Sequence, residues 1–222
     1  MKIEIDRIIR SRRKTLALIV KGDGSLIVRA PMRTPKYRIE EFVTEHYPWI
    51  EKKRMEMQSL DLPTSKQYIT GEQFMFLGQS FPLEIVQNQK EALILNGNFK
   101  LAAAVSKHAK EIFERWYREQ ARTIISERVN LFANGYGFQH KAIKITAATT
   151  RWGSCSVNGS LNFSWRLILA PLTQVDYVIV HELVHTIHHN HSERFWAKVK
   201  DIMPDFKERQ KWLRKHGPQL MR

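Results

Sequence analysis

The sequence predicts an α+β fold in which a β-rich region, residues 1–103, precedes a helix-led region, residues 104–222. Three patterns support this prediction: short β-type runs broken by glycine turns, one long amphipathic helix, and a later apolar helix that carries paired histidines. The segment TLALIVKGDGSLIVRAP is typical of a hairpin, because Gly22-Asp23-Gly24 separates two short β-type runs. The first 31 residues are therefore expected to be β-structure.

The rest of the β-rich region combines one helix with further strands. From Lys36 to about Met57 the apolar residues recur at near-helical spacing, and Pro48 is expected to interrupt this helix because it lacks a backbone N–H. SLDLPTSKQ follows as a loop or linker. FPLEIV and ALILNGNFKLAA then predict strands, the latter folded into a tight hairpin at Asn96-Gly97.

The helix-led region opens with a predicted long helix from about Ser106 to Ala133. Its apolar and aromatic residues form one stripe, which favours a core helix, and Gly135 is expected to cap its end. KAIKITAA predicts a strand, and RWGSCSVNGSLNFSW predicts a hairpin that turns at Asn158-Gly159. RLILAP then leads to a stop at Pro171.

The composition is that of a soluble protein, with 43% apolar residues to supply a core. The N-terminal stretch lacks the continuous apolar segment of a signal peptide, and no later run reaches the roughly 20 apolar residues of a membrane span. The single cysteine, Cys155, excludes an internal disulfide and suits a reducing compartment. We therefore expect a cytoplasmic protein without membrane attachment.

The charge balance favours polyanions or acidic surfaces as partners, since 36 Lys+Arg against 22 Asp+Glu give a net charge of +14. No helix-turn-helix, RNA-binding or glycine-rich phosphate-loop pattern accompanies this charge. A solvated basic surface is therefore the simpler interpretation, and nucleic acid or a nucleotide is the alternative partner.

The stretch HELVHTIHHNHSERFW carries most of the chemistry that the sequence reveals. Thr173 followed by Asp176 is a helix start signal, and the apolar run after it predicts a mostly buried helix. His181 and His185 then lie one turn apart on one face, where two imidazoles can bind one zinc ion at about 2.0–2.1 Å. Glu182 lies beside them and completes the H-E-x-x-H pattern.

This pattern predicts hydrolytic chemistry. A zinc ion with three protein ligands keeps a fourth position for water and lowers the pKa of that water to about 7. Glu182 can take the proton and later return it to a leaving group, so we predict a general base and not a ligand. The alternative, histidines that are merely packed in the core or solvated, is disfavoured because unpaired ionisable groups are costly to bury in an apolar helix.

The third zinc ligand is to be chosen from His188, His189, His191 and a later carboxylate, Glu193. His188 shares the face of His181 but lies about 10 Å further along the helix axis, too far for a rigid helix to bring both to one ion. Asn190 tolerates the left-handed conformation that ends helices, so the chain is expected to turn there, with Ser192 capping the next helix. We therefore predict His191 as the third ligand.

The stretch RWGSCSVNGSLNFSWRLILAPLTQVDYVIVHELVHTIHHNHSERFW resembles the signature of the YgjP-like metallopeptidases, zincins related to the SprT-like and WLM groups. R-W-G-S-C, H-E-x-x-H and N-H-S occur together and in order, and weaker similarity covers nearly the whole chain. The resemblance implies a zincin core of a long backing helix, a small sheet, the active-site helix and a C-terminal helix. It also implies a peptide or protein substrate, Zn²⁺ as cofactor, ligands at His181, His185 and His191, and Glu182 as the catalytic residue.

The R-W-G-S-C segment has no role that the resemblance supplies. Arg151 is predicted to bind substrate, by stabilising an oxyanion or holding a carboxylate, and the alternative is a strand whose Trp152 and Cys155 pack in the core. A Cys155 thiolate that masks the metal is disfavoured against a small buried residue. By analogy with zincins in general, Ser160–Trp165 is expected to be an edge strand that aligns an extended peptide.

Two rival functions stand beside the peptidase. Zinc-activated water attacks phosphorus as well as carbon, so a hydrolase of nucleotides or other phosphate substrates fits the same ligands and the basic surface. A basic nucleic-acid-binding module with structural zinc is the other rival, and it requires a closed site with four protein ligands.

Overall fold

The computed structural model describes residues 4–21, 24–59 and 66–221, and these ranges contain ten β-strands and six α-helices. The mixed α+β class is thereby confirmed. The chain divides into two compact units, Met1–Ser65 and Lys66–Arg222. This boundary lies earlier than residue 104, where the sequence placed it, because the strands after residue 72 share one core with the long helix that follows them.

The first unit is a three-stranded sheet with two helices. Its elements are β1 (Arg7–Ser11), β2 (Ala17–Val20), β3 (Leu26–Pro31), α1 (Lys36–Glu45) and α2 (Tyr47–Ser59), with the sheet order β1-β3-β2. β2 and β3 pair antiparallel and confirm the predicted hairpin, although Gly22 and Asp23 of its turn lie outside the described residues. Most of the predicted linker, residues 60–65, also lies outside them. The predicted helix is interrupted at His46, close to Pro48.

The second unit begins with a four-stranded sheet. Its strands are β4 (Gln73–Phe76), β5 (Gln79–Val86), β6 (Leu93–Asn96) and β7 (Asn98–Ala102), in the order β4-β5-β7-β6. The tight hairpin at Gly97 is confirmed by the register, which pairs Asn96 with Asn98. The sequence pattern does not predict β4, because QFMF is too short a run to show a period.

A long helix, α3 (Ala109–Tyr136), follows a 3-10 turn at Ala103–His108 and forms the centre of the second unit. Its apolar stripe is buried as predicted, and Phe113 packs against Phe74 of the sheet with ring centroids 4.2 Å apart. The cap is Gly137, whose φ of 72° is left-handed, and not Gly135, which lies inside the last helical turn.

A small three-stranded sheet carries the hairpin of the R-W-G-S-C segment. Its strands are β8 (Ala142–Thr146), β9 (Gly153–Cys155) and β10 (Ser160–Ser164), in the order β8-β10-β9. β10 is parallel to β8 and antiparallel to β9. The prediction that Ser160–Trp165 supplies an edge strand is therefore wrong, because β10 is paired on both sides and β9 is an edge of this sheet. A 3-10 turn, Trp165–Leu169, leads on from β10.

Three helices complete the unit: α4 (Leu172–Val184), α5 (Glu193–Ile202) and α6 (Phe206–Leu220). Thr173 does not cap α4, since Pro171 occupies the cap position. The Asp176 carboxylate instead accepts two hydrogen bonds of 2.6 Å from the guanidinium of Arg128 in α3. Among the described residues, none of these helices has both the length and the apolar character that crossing a membrane requires.

Candidate metal centre

Helix α4 positions two predicted ligands and the predicted base. Nearly every residue from Gln174 to Val184 is buried, so the helix is fixed on most of its circumference. His181 and Glu182 lie in its last turn, and His185 is the first residue beyond it. Because helical spacing is intrinsic to the backbone, the H-E-x-x-H residues reach their places without help from loops.

The chain reverses direction after α4 and brings His191 back. The backbone N–H groups of Thr186 and His188 donate to the carbonyls of Leu183 and Val184, which closes a tight turn. The helix thus ends earlier than Asn190, where the sequence analysis placed the turn. Ser192 does occupy the N-cap position of α5, but its side chain makes no capping hydrogen bond.

The three predicted ligand histidines converge through their Nε2 atoms. His191 Nε2 lies 3.0 Å from His181 Nε2 and 3.2 Å from His185 Nε2. All three donor atoms lie within 4.8 Å of one another, and the described residues contain no other such group of three His, Cys, Asp or Glu side chains. His181 and His185 are half-buried, whereas His191 is exposed.

The local electrostatics keep the imidazoles of α4 neutral. Burial, together with the neighbouring His185 and His191, lowers the pKa of His181 to about 3. Burial also lowers the pKa of His185, although the backbone carbonyl of His188 acts in the opposite direction. Neutral imidazoles offer a lone pair, which is the form that binds metal ions.

The arrangement fits a bound cation. His185 Nδ1 donates to the His188 carbonyl at 3.0 Å, an assignment that leaves its Nε2 unprotonated and facing the other rings. His191 Nε2 lies 3.0 and 3.2 Å from the other two Nε2 atoms, and unprotonated nitrogens at these distances repel one another unless a positive charge lies between them. Imidazole nitrogens suit zinc, copper, iron and nickel among the common metals. The described residues provide no partner for the buried Nδ1 of His181, so its Nε2 is the nitrogen that faces the other two rings.

Glu182 directly follows His181 in α4 and is 6% exposed. Burial raises the pKa of its carboxyl group to about 7, while a backbone hydrogen bond from Cys155 and the charge of Arg151 act against that rise. A carboxyl group with a pKa near 7 can both accept and release a proton at neutral pH. The sequence predicted this residue as a base, and the structure gives it the burial that such a role requires.

Two aromatic residues that the sequence analysis did not single out surround the histidines. Phe195 is fully buried, and its ring centroid lies 4.9 Å from that of His181 and 4.5 Å from that of His185. Trp196 stacks on His191 with centroids 5.5 Å apart. The sequence could have indicated both residues, because they lie in the first turn of the helix that begins just after His191 and must therefore be close to that ligand.

The other sequence candidates lie outside the converging group. His188, His189 and Glu193 are not members of it and line a separate open cavity of about 580 Å³. Cys155 is not a member either, and with Trp152 it packs against the core, as the structural alternative for this segment anticipated. Arg151 is exposed, and its charge acts on the Glu182 carboxyl.

A mixed α+β unit in which a buried helix carries H-E-x-x-H beside a third imidazole has the make-up of a metallopeptidase domain. A sequence model of the YgjP-like metallopeptidase domain matches residues 14–216. The chain therefore belongs to the YgjP-like family. Membership makes it a metal-dependent peptidase, with a peptide or protein as substrate.

The other comparisons add less. The crystal structure of the metallopeptidase zymogen abylysin from Pyrococcus abyssi is similar to this chain, with 19% sequence identity and a TM-score of 0.38. The similarity covers 41% of this chain and 93% of that chain. No curated protein sequence matches the chain.

Proposed function

We propose that the chain is a zinc peptidase in which His181, His185 and His191 hold the ion and Glu182 is the general base. The observation that carries the proposal is the convergence of three Nε2 atoms within 4.8 Å, together with the burial of the Glu182 carboxyl group on the helix that carries His181. A zinc ion bound by three imidazoles lowers the pKa of a water molecule at its open position and polarises the carbonyl oxygen of a substrate. The family supports a metal ion in general, and three imidazoles with an open fourth position are a donor set that catalytic zinc uses.

Glu182 does the proton transfer in this proposal. Its carboxylate accepts a proton from the attacking water while the water oxygen bonds to the scissile carbonyl carbon. The same carboxyl group then donates that proton to the leaving amine as the C–N bond breaks. A pKa of about 7 suits both steps, because the ideal acid–base group has a pKa near the working pH.

The edge of β9 that faces away from β10 is our candidate for aligning the substrate. The N–H of Ser164 donates to the Trp152 carbonyl, and the N–H of Ser156 donates to the Ser160 carbonyl. The backbone polar groups of Trp152 and Ser156, which flank β9, therefore face β10. In an antiparallel pair the alternate residue, Gly153, directs its N–H and C=O away from β10. An extended peptide can add to that edge by strand pairing. Arg151, which is exposed just before β9, is our candidate for attracting a substrate carboxylate or an oxyanion.

The proposal is tested first with Glu182→Gln. This variant keeps the size of the side chain and removes its basicity, so we expect normal zinc content with loss of turnover on a casein-type peptide. Nucleoside triphosphates are assayed in parallel. Normal peptide hydrolysis by the variant contradicts the mechanism, and hydrolysis of the triphosphates alone replaces the peptidase with the phosphatase alternative.

The ligand assignment is tested with a matched pair of histidine variants. His191→Ala removes a converging imidazole, whereas His189→Ala removes an exposed one two residues earlier in the same turn. We expect elemental analysis of freshly isolated protein to find about one zinc per chain in the wild type and in His189→Ala, and a large loss in His191→Ala. Equal zinc content in both variants contradicts the assignment.

A further inference from the structure

Gly153 of the R-W-G-S-C segment lies against Glu182. A Cβ atom built on Gly153 would lie 2.7 Å from both the Cγ and the Oε1 of Glu182, and 3.0 Å from its Cδ. Real Cβ atoms essentially never approach other atoms below 3.0 Å. A Cβ atom at position 153 therefore requires the Glu182 side chain or the strand to shift.

The backbone conformation of Gly153 does not itself require glycine. Its φ lies outside the left-handed range that the turn glycines, such as Gly137, occupy. The space taken by Glu182 is therefore the reason for glycine here. Glycine inside a strand otherwise weakens the strand, and it often marks a close approach of another group.

Strand β9 cannot easily retreat from Glu182. Gly153 pairs in register with Phe163 of β10, and Cys155 pairs with Leu161. Both β10 residues are fully buried in the main core. A methyl group at position 153 therefore displaces the Glu182 side chain rather than the strand. To restore an ordinary carbon contact of about 3.5 Å, the carboxyl group has to move by about 0.8 Å.

A second contact holds the same carboxyl group. The backbone N–H of Cys155 acts on the Glu182 carboxyl group as a hydrogen-bond donor and lowers its pKa. Cys155 is two residues from Gly153, so its N–H also points away from β10 and has no partner in the sheet. We call the approach to Gly153 and the bond from Cys155 together the β9 contact.

We infer that Gly153 is a positioning residue for the reaction, because the β9 contact sets where the Glu182 carboxylate stands. This inference rests on the proposed role of Glu182 as general base. It assigns a function to the R-W-G-S-C segment. The missing side chain of its glycine allows the Glu182 carboxyl group to approach β9 closely, and the backbone of β9 then orients that carboxyl group.

The test combines Gly153→Ala with the matched control Gly135→Ala. Gly135 lies exposed inside α3, and a Cβ there meets nothing within 4 Å. We expect Gly153→Ala to retain full zinc content, to change KM by less than about twofold and to lower kcat by about a hundredfold, the effect of a misplacement approaching 1 Å. Gly135→Ala should keep kcat within about twofold. A Gly153→Ala variant with wild-type kcat overturns the inference.

A stability measurement supplies a readout that does not depend on turnover. Gly153→Ala should lower the urea midpoint in the wild-type background, and it should not lower it in the Glu182→Ala background, where the obstructing side chain is absent. An equal decrease in both backgrounds overturns the inference. If Gly153→Ala alone does not fold, folding of the double variant with Glu182→Ala supports the inference, and failure of the double variant contradicts it.

The two proposals fail in different ways. If Glu182→Gln is active, the proposed function is contradicted, but the urea measurements can still show that positions 153 and 182 are coupled in stability. Inactive Glu182→Gln together with fully active Gly153→Ala contradicts only the positioning role.

Discussion

The ion pair between α3 and α4 offers the sharpest prediction about stability. Arg128 and Asp176 form two hydrogen bonds of 2.6 Å, and their side chains are 28% and 12% exposed, respectively. Removing one partner of a buried pair costs about 3–5 kcal/mol, because the other charge stays buried without compensation. Since this pair retains some exposure, we take the lower end and expect Arg128→Met to cost about 3 kcal/mol.

The two partners should not be equivalent. Asp176→Ala leaves a guanidinium that can reach water and still stack on Phe132, 5.4 Å from its ring centroid, so we expect a loss of only about 1–2 kcal/mol. The double variant Arg128→Met/Asp176→Leu removes both charges and should recover most of the stability. For a domain of this size a loss of 3 kcal/mol corresponds to a decrease in Tm of about 6–12 °C.

The assay is urea denaturation, with the midpoint and slope fitted for each variant. The control is Arg118→Met in the same helix, because the Arg118–Glu114 pair has an N–O distance of 2.7 Å but both side chains are more than a third exposed. An exposed pair of this kind contributes about 0–1 kcal/mol. A loss below about 1 kcal/mol for Arg128→Met, or a larger loss for Asp176→Ala than for Arg128→Met, refutes the reasoning.

Three further predictions concern single residues. Burial, and to a smaller extent the charge of Glu182, raises the pKa of the Cys155 thiol, so less thiolate exists at a given pH. Alkylation of Cys155, followed by mass spectrometry, should therefore be slower than that of a free thiol. It should become faster in Glu182→Gln, which removes the nearby negative charge. Gly137→Ala should cost about 1 kcal/mol in urea denaturation because of its φ of 72°, whereas Gly135→Ala should be neutral or stabilising. Phe163→Ala removes a fully buried ring from β10 and should cost about 3–5 kcal/mol; a loss under 2 would mean that the core collapses around the gap.

The parts of the site that sequence reasoning reached depend on local geometry. The i, i+4 spacing of His181 and His185 follows from helical periodicity alone, and the burial of Glu182 follows from the apolar run that surrounds it. The prediction of His191 required one more step, because a rigid helix cannot bring a third histidine to the same ion and the chain therefore has to turn. That turn occurs earlier than expected, but the return of His191 was predictable because only a few residues connect it to His185.

The parts that sequence reasoning missed depend on pairings between distant segments. The local sequence indicates only a helix start signal at Asp176, because its partner, Arg128, is 48 residues away and leaves no local trace. β10 was expected to be an edge strand, since nothing in its own sequence reveals that β8 pairs with its other side. Gly153 did carry a usable signal, because an isolated glycine within a strand pattern often marks a close approach.

Two strongly stabilising contacts, which we call the anchors of the site, support the elements that carry its destabilising features. The anchors are the Arg128–Asp176 pair and the buried Phe163 side chain. A buried carboxyl group, neutral converging imidazoles and a glycine in a strand each lower stability where they occur. Such features persist only where the surrounding structure over-determines them. Arg128 fixes the start of α4 from one side, and Phe163 fixes β9 through β10 from the other. Glu182 lies on α4 and its carboxyl group contacts β9. Both anchors therefore act on the elements that hold this carboxyl group, and weakening either one should change its position.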